Sequence, residues 1–188
     1  MAESQSVEEV VRAIWSRLSG FEFGAHQDDG RWMADGDDET LSRRYALPSP
    51  RETLREKKGT CIDIAQCAMR LLSGKLIRNS AVFCVFDDDS AFPRNHCFNV
   101  AVAEDGGFVL LDASEKRPVE KFGSIEDLLL SYCREFQASG EFGELSFHLL
   151  DGFPPPGSTF REFVEFATGR DRPFRIFRIA RRAIFALE

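Results

Sequence analysis

Three observations predict an α+β protein. Helical spacing opens the chain and returns near its end. A block of consecutive strand signals lies between, two of them joined by a hairpin turn. One helix, starting at Thr60, precedes that block and does not alternate with its strands.

Taken in order, Val7 to Leu18 carries Val10, Val11, Ile14, Trp15 and Leu18 on one helical face, and Gly20 is expected to end the helix. Phe21 to Phe23 suggests a short strand. Residues 24–44, rich in Asp and Gly, read as a long surface loop. Ser49 and Pro50 have the residue types of an N-cap and a first helical position, so a short helix is expected over Pro50 to Lys57. Thr60 and Asp63 have the spacing of a capping box, with Cys61, Ala65, Ala68 and Leu72 in one stripe and Gly74 as C-cap.

Ser80 to Phe86 is apolar throughout, as a central strand would be. Asn95 to Ala103 and Gly107 to Ala113 flank Glu104-Asp105-Gly106, a hairpin signal. Ser124 is placed to cap a helix from Ile125 to Phe136, and Glu144 to Leu150 reads as another strand. Beyond Pro154-Pro155-Pro156, Phe160 to Ala167 and Pro173 to Leu187 read as helices. The expected organisation is a domain over residues 1–156 with a helical extension, residues 157–188, packed upon it. The arginines of that extension, from Arg170 to Arg182, are expected to face water while its Phe and Ile pack inward.

The net charge of −7 disfavours nucleic acid as a partner. The first residues lack the basic flank and apolar stretch of a signal peptide, and no apolar run is long enough to span a bilayer. A cytoplasmic protein with no membrane partner is therefore expected. The 18 Phe promise a large aromatic core or an aromatic-walled groove. Five cysteines, loosely spaced and without a CxxC, argue against a disulfide framework or a zinc ribbon. Cys67, Cys84 and Cys133 lie in apolar patterns and read as small buried hydrophobes.

Cys61 differs. It stands at a helix start, where unpaired N–H groups and the helix dipole favour a thiolate, although Asp63 in the same turn opposes it. An imidazolium partner is needed. Of the three histidines, His26 falls in the loop and His148 reads as a satisfied strand residue. His96 opens a strand whose hairpin returns to Asp112. The order Cys61, His96, Asp112 allows nucleophile, base and orienting acid. Strand alternation turns Cys97 away from His96, which also weighs against a metal site built from His96, Cys97 and Cys61. A two-residue turn would set Asp112 opposite Asn99, on the wrong face. A three-residue turn with Gly106 left-handed sets it opposite Phe98, diagonal to His96, and a five-residue loop would set the pair directly opposite. The reading requires an odd loop, and glycine third favours three residues. Singly, each residue has a plainer role: packing for Cys61, a strand hydrogen bond for His96, a turn for Asp112.

The stretches "GTCIDIAQCAMRLL" and "NHCFNVAVAEDGGFVLLDAS" resemble the transglutaminase-like superfamily of papain-like cysteine enzymes. Gly59 and Cys61 resemble its G-x-C at a helix start, His96 its strand histidine, and Asp112-Ala113-Ser114 its D-x-[ST]. Cys97-Phe98 departs from the small-aromatic pair of many members. The resemblance covers about residues 45 to 115. It implies a papain-like α+β fold over residues 1–156, the cysteine helix packed on an antiparallel sheet, and thiol acyl transfer on an amide group of a protein or peptide. Cys61 would attack, His96 would carry the proton, Asp112 would hold the ring, and no cofactor would be needed. The Cys61 N–H would serve as one oxyanion donor, with Gln27, Trp32 and Tyr45 as candidates for the second. An inactive, peptide-binding member is the alternative. Asp35 to Glu39 lacks the spacing of an EF-hand and reads as a solvated loop.

Overall fold

The computed structural model describes residues 5–34, 43–87, 94–139, 144–169 and 176–180. Three early helices begin with the same reciprocal cap, which satisfies backbone donors that a helix start leaves open. In α1 (Val7–Leu18) it joins Ser6 and Glu9, in α2 (Pro50–Glu56) Ser49 and Glu52, and in α3 (Cys61–Ser73) Thr60 and Asp63. Pro50 stands at the first turn of α2, and left-handed Lys57 (φ 55°) stops that helix. Gly74 caps α3 as expected.

The loop expected over residues 24–44 is corrected over residues 24–34. β1 (Glu22–His26) and β2 (Trp32–Ala34) form an antiparallel hairpin, and β1 pairs in parallel with β3 (Lys58–Gly59). Gly24 permits this: a Cβ there would lie 2.5 Å from both Met33 O and Trp32 Cζ2. The indole thus packs over bare backbone. His26 is a strand residue, and the acidic run Asp35 to Glu39 lies outside the described residues.

The main sheet comprises β4 (Asn79–Asp87), β5 (Asn95–Val102), β6 (Phe108–Leu111), β7 (Lys121–Phe122), β8 (Glu144–Leu150) and β9 (Ile176–Ala180). Its order is β7-β6-β5-β4-β8-β9, with every neighbouring pair antiparallel. Within the helix expected over Pro173 to Leu187, the described residues 176–180 form β9 instead, and the rest of that stretch lies outside the described residues. The edge of β8 offers unpaired backbone groups, and pairing with them overrides a local helical spacing. The arginines at 170, 172, 175, 181 and 182 lie outside the described residues.

Alternation along the strands gives the sheet two packed faces. Val82, Cys84, Phe98, Val100 and Leu110 meet α4 (Ile125–Ser139) through Ile125, Leu128, Leu129 and Tyr132. On the opposite face, Ala101, Val109 and Leu111 meet α1 and α3, while Phe83 and Cys97 lie with Cys61 and with Phe163 of α5 (Phe160–Thr168). Each large side chain so buried contributes ~1.5–3 kcal/mol from its removal from water. The α+β class and the cysteine helix on an antiparallel sheet are as expected. No helix among the described residues is long and apolar enough to cross a membrane.

Candidate active site

Cys61 is the first residue of α3, and three local interactions set its position. The Thr60 N–H donates to Asp63 Oδ2 at 2.8 Å, the Asp63 N–H returns to Thr60 Oγ1 at 3.4 Å, and the Ile64 N–H bonds to Thr60 O at 3.0 Å. The Cys61 side chain is almost buried, at 8% exposure.

His96 enters from the second position of β5. The hairpin after it has the three-residue turn: the Gly106 N–H bonds to Ala103 O, the Ala103 N–H bonds to Gly107 O, and Gly106 is left-handed (φ 85°). Asn99 pairs with Leu111, and one further step sets Asp112 opposite Phe98, on the α4 face with His96. His96 Nε2 and Asp112 Oδ2 are 2.9 Å apart.

Cys61 belongs to the α3 side of the sheet, yet its thiol lies close enough to the His96 ring at the start of β5 to act on its titration. The structure therefore brings together all three residues named from the sequence. Burial alone would lower the His96 pKa, but its hydrogen bond to Asp112 and the nearby Cys61 thiol outweigh burial and raise it to about 10. Burial would likewise raise the Asp112 carboxyl, but His96 and Tyr132 hold it below its usual value. Asp112 Oδ1 accepts from the Ser114 hydroxyl at 2.9 Å and the Glu115 N–H at 3.2 Å. Its Oδ2 also accepts from the Tyr132 hydroxyl.

The other four thiols are buried and protonated. Burial pushes Cys67 and Cys133 up to about 12, and raises Cys84 and Cys97 well above their usual value. All five cysteines are free. Cys97 faces away from His96, on the side of Cys61. His148, buried in β8, lies 3.2 Å from the Ser146 hydroxyl through Nε2. Among the described residues, no group of three His, Cys, Asp or Glu is placed to hold a metal ion.

Two of the upstream oxyanion candidates use their side-chain donors elsewhere. The Tyr45 hydroxyl donates to Asp63 Oδ1 and the Trp32 indole to Glu22 Oε1. The Gln27 N–H bonds to Arg31 O. Tyr132 went unnoticed in the sequence. Its signal was there: a tyrosine in the apolar stripe Ile125, Leu128, Leu129, Tyr132 must find a partner for its buried hydroxyl.

No family model matches the chain, and no curated protein matches it. Similar solved structures include a candidate cysteine protease from Cytophaga hutchinsonii, 18% identical, with a TM-score of 0.38 over 62% of this chain and 35% of that one. This chain thus spans about a third of that structure's length. LapG from Legionella pneumophila is 12% identical, with a TM-score of 0.44 over 97% of this chain and 79% of that one.

Proposed function

We propose that the chain is a thiol-dependent acyl-transfer enzyme that acts on an amide group of a protein or peptide through Cys61, His96 and Asp112. The observation that carries this reading is the 2.9 Å pairing of His96 Nε2 with Asp112 Oδ2, with the Cys61 thiol near enough to the same ring to act on its titration. The resemblance of the G-x-C, His and D-x-[ST] segments to transglutaminase-like enzymes agrees with it.

In this reading His96 already holds the proton given up by the Cys61 thiol, and the Cys61 sulfur attacks the amide carbonyl carbon. The carbonyl oxygen becomes an oxyanion and accepts from the Cys61 N–H at the start of α3. His96 gives the proton to the departing amine as the C–N bond breaks, leaving a thioester on Cys61. Water or a second amine then attacks that thioester, giving hydrolysis or transfer. Asp112 stays ionised and fixes the ring throughout. The mechanism calls on no cofactor.

Iodoacetamide labelling followed by peptide mass analysis tests the reading. Cys61 should label ahead of the other four thiols, and His96→Gln should slow that labelling. Purified protein should then cleave or transfer amide substrates, assayed with and without added amine, and Cys61→Ala should abolish the activity. Selective labelling without turnover on any amide would favour an inert binding module. Labelling of Cys61 no faster than that of its neighbours would sink the nucleophile.

A further inference from the structure

We propose that Tyr132 is the positioning residue of this site, its hydroxyl holding Asp112 against His96, with Arg117 braced behind its ring; the proposal rests on the acyl-transfer reading above.

The Tyr132 hydroxyl donates to Asp112 Oδ2, the oxygen that faces His96 Nε2. That hydroxyl has little room to swing. The ring is 1% exposed and stacks on Phe98 with centroids 4.1 Å apart and planes 5° apart. It lies nearly parallel to His96 as well, at 6.1 Å and 26°. The Arg117 guanidinium carbon stands 4.2 Å from the Tyr132 ring centroid. Phe98 and Arg117 cannot share one ring face at those spacings, so the phenol is held between them. The Arg117 backbone N–H bonds to the Asp112 backbone carbonyl at 3.1 Å, which keeps the two residues on one turn.

The arrangement has a chemical consequence. A hydrogen bond into Oδ2 spreads the carboxylate's charge and makes it a weaker base. A cation over the ring draws on the phenol and makes its O–H a better donor. Asp112 then holds His96 without binding its proton so firmly that the ring cannot give it up to a leaving amine. The titratable and charged groups around His96 are Cys61 from α3, Asp112 after β6, Tyr132 from α4 with Arg117 behind it, and Cys84 opposite on β4. Cys84 remains a protonated thiol.

Tyr132→Phe removes the hydroxyl and keeps the stacked ring. The test is an NMR titration of the His96 ring protons, assigned by their loss in His96→Gln. Tyr132→Phe should move the His96 titration upward by about one pH unit, because Asp112 becomes more basic. The same change in an Asp112→Asn background should move it no further. Arg117→Met, which leaves the phenol in place, should move it in the same direction and by less. An unchanged titration in Tyr132→Phe, or an equal shift with and without the Asp112 carboxylate, would overturn the proposal. These readouts need no substrate, so they stand apart from failure of the acyl-transfer reading. Where an amide substrate turns over, Tyr132→Phe should lower kcat about tenfold and leave KM unchanged.

Discussion

The hydroxyl of Tyr45 donates to Oδ1 of Asp63, a fully buried carboxyl two residues beyond Cys61. Burial dominates this carboxyl and raises its pKa from 3.8 to about 7, although Tyr45 and Thr60 pull it down. Between those two values the folded protein binds more protons at this site than the unfolded chain does. This contribution is therefore complete below about pH 4 and is lost as pH rises through about 7. We predict that the free energy of urea unfolding declines from about pH 5 to about pH 7, and that Asp63→Asn removes most of that slope. Parallel slopes in the two proteins would show that Asp63 is not its source.

His96 extends the decline to higher pH. Its pKa rises from 6.5 to about 10 against the effect of burial, through Asp112 and Cys61. A raised histidine contributes stability that is full below 6.5 and is lost as pH climbs through about 10. His96→Gln should therefore be less stable than the parent at about pH 7, with the gap closing toward about pH 10. Thermal melts of both proteins across that range would check this, and a gap of constant size would refute it.

Gly59 is required by space. A Cβ there would lie 2.8 Å from the Asp63 Cβ and 3.3 Å from Thr53 Cγ2, with Asp63 and Thr53 both fully buried. Neither neighbour has room to give way. Gly59→Ala should cost ~1–3 kcal/mol, as other overpacked cores do. Because the strain falls on the cap of α3, it should also slow iodoacetamide labelling of Cys61. Chemical denaturation and labelling rates on one preparation would measure both.

What the sequence made readable was local. Helix caps join residues close in the chain, so Ser49 and Thr60 marked their helix starts directly. The turn at Glu104 to Gly106 was equally local, and turn length sets register, so the pairing of His96 with Asp112 followed from one glycine. Contacts between distant segments left no such mark. Tyr45 meets Asp63 across 18 residues and Tyr132 meets Asp112 across 20, and no spacing rule predicts either. The β1–β2 hairpin was hidden by the Gly and Asp residues of its own turn. β9 exists through its pairing with β8, so its own residues could not announce it.

Asn99 supplies the last prediction, because it ties the sheet to the nucleophile's helix. It is 1% exposed on the α3 face of β5, and its Nδ2 donates to Ala65 O at 3.1 Å, one turn beyond Cys61. Its Oδ1 has no hydrogen-bond partner among the described residues. The donor is thus the half of the amide that matters. Asn99→Ala loses that hydrogen bond and should cost ~1–2 kcal/mol. Asn99→Asp keeps the shape but turns an acceptor toward a carbonyl oxygen and buries a charge without a partner. It should cost more than the alanine change, ~3 kcal/mol or above at neutral pH, and should recover as acid neutralises the carboxyl. Unfolding curves at two pH values would decide the matter. An aspartate variant as stable as the alanine one at neutral pH would show that Ala65 O does not need its donor.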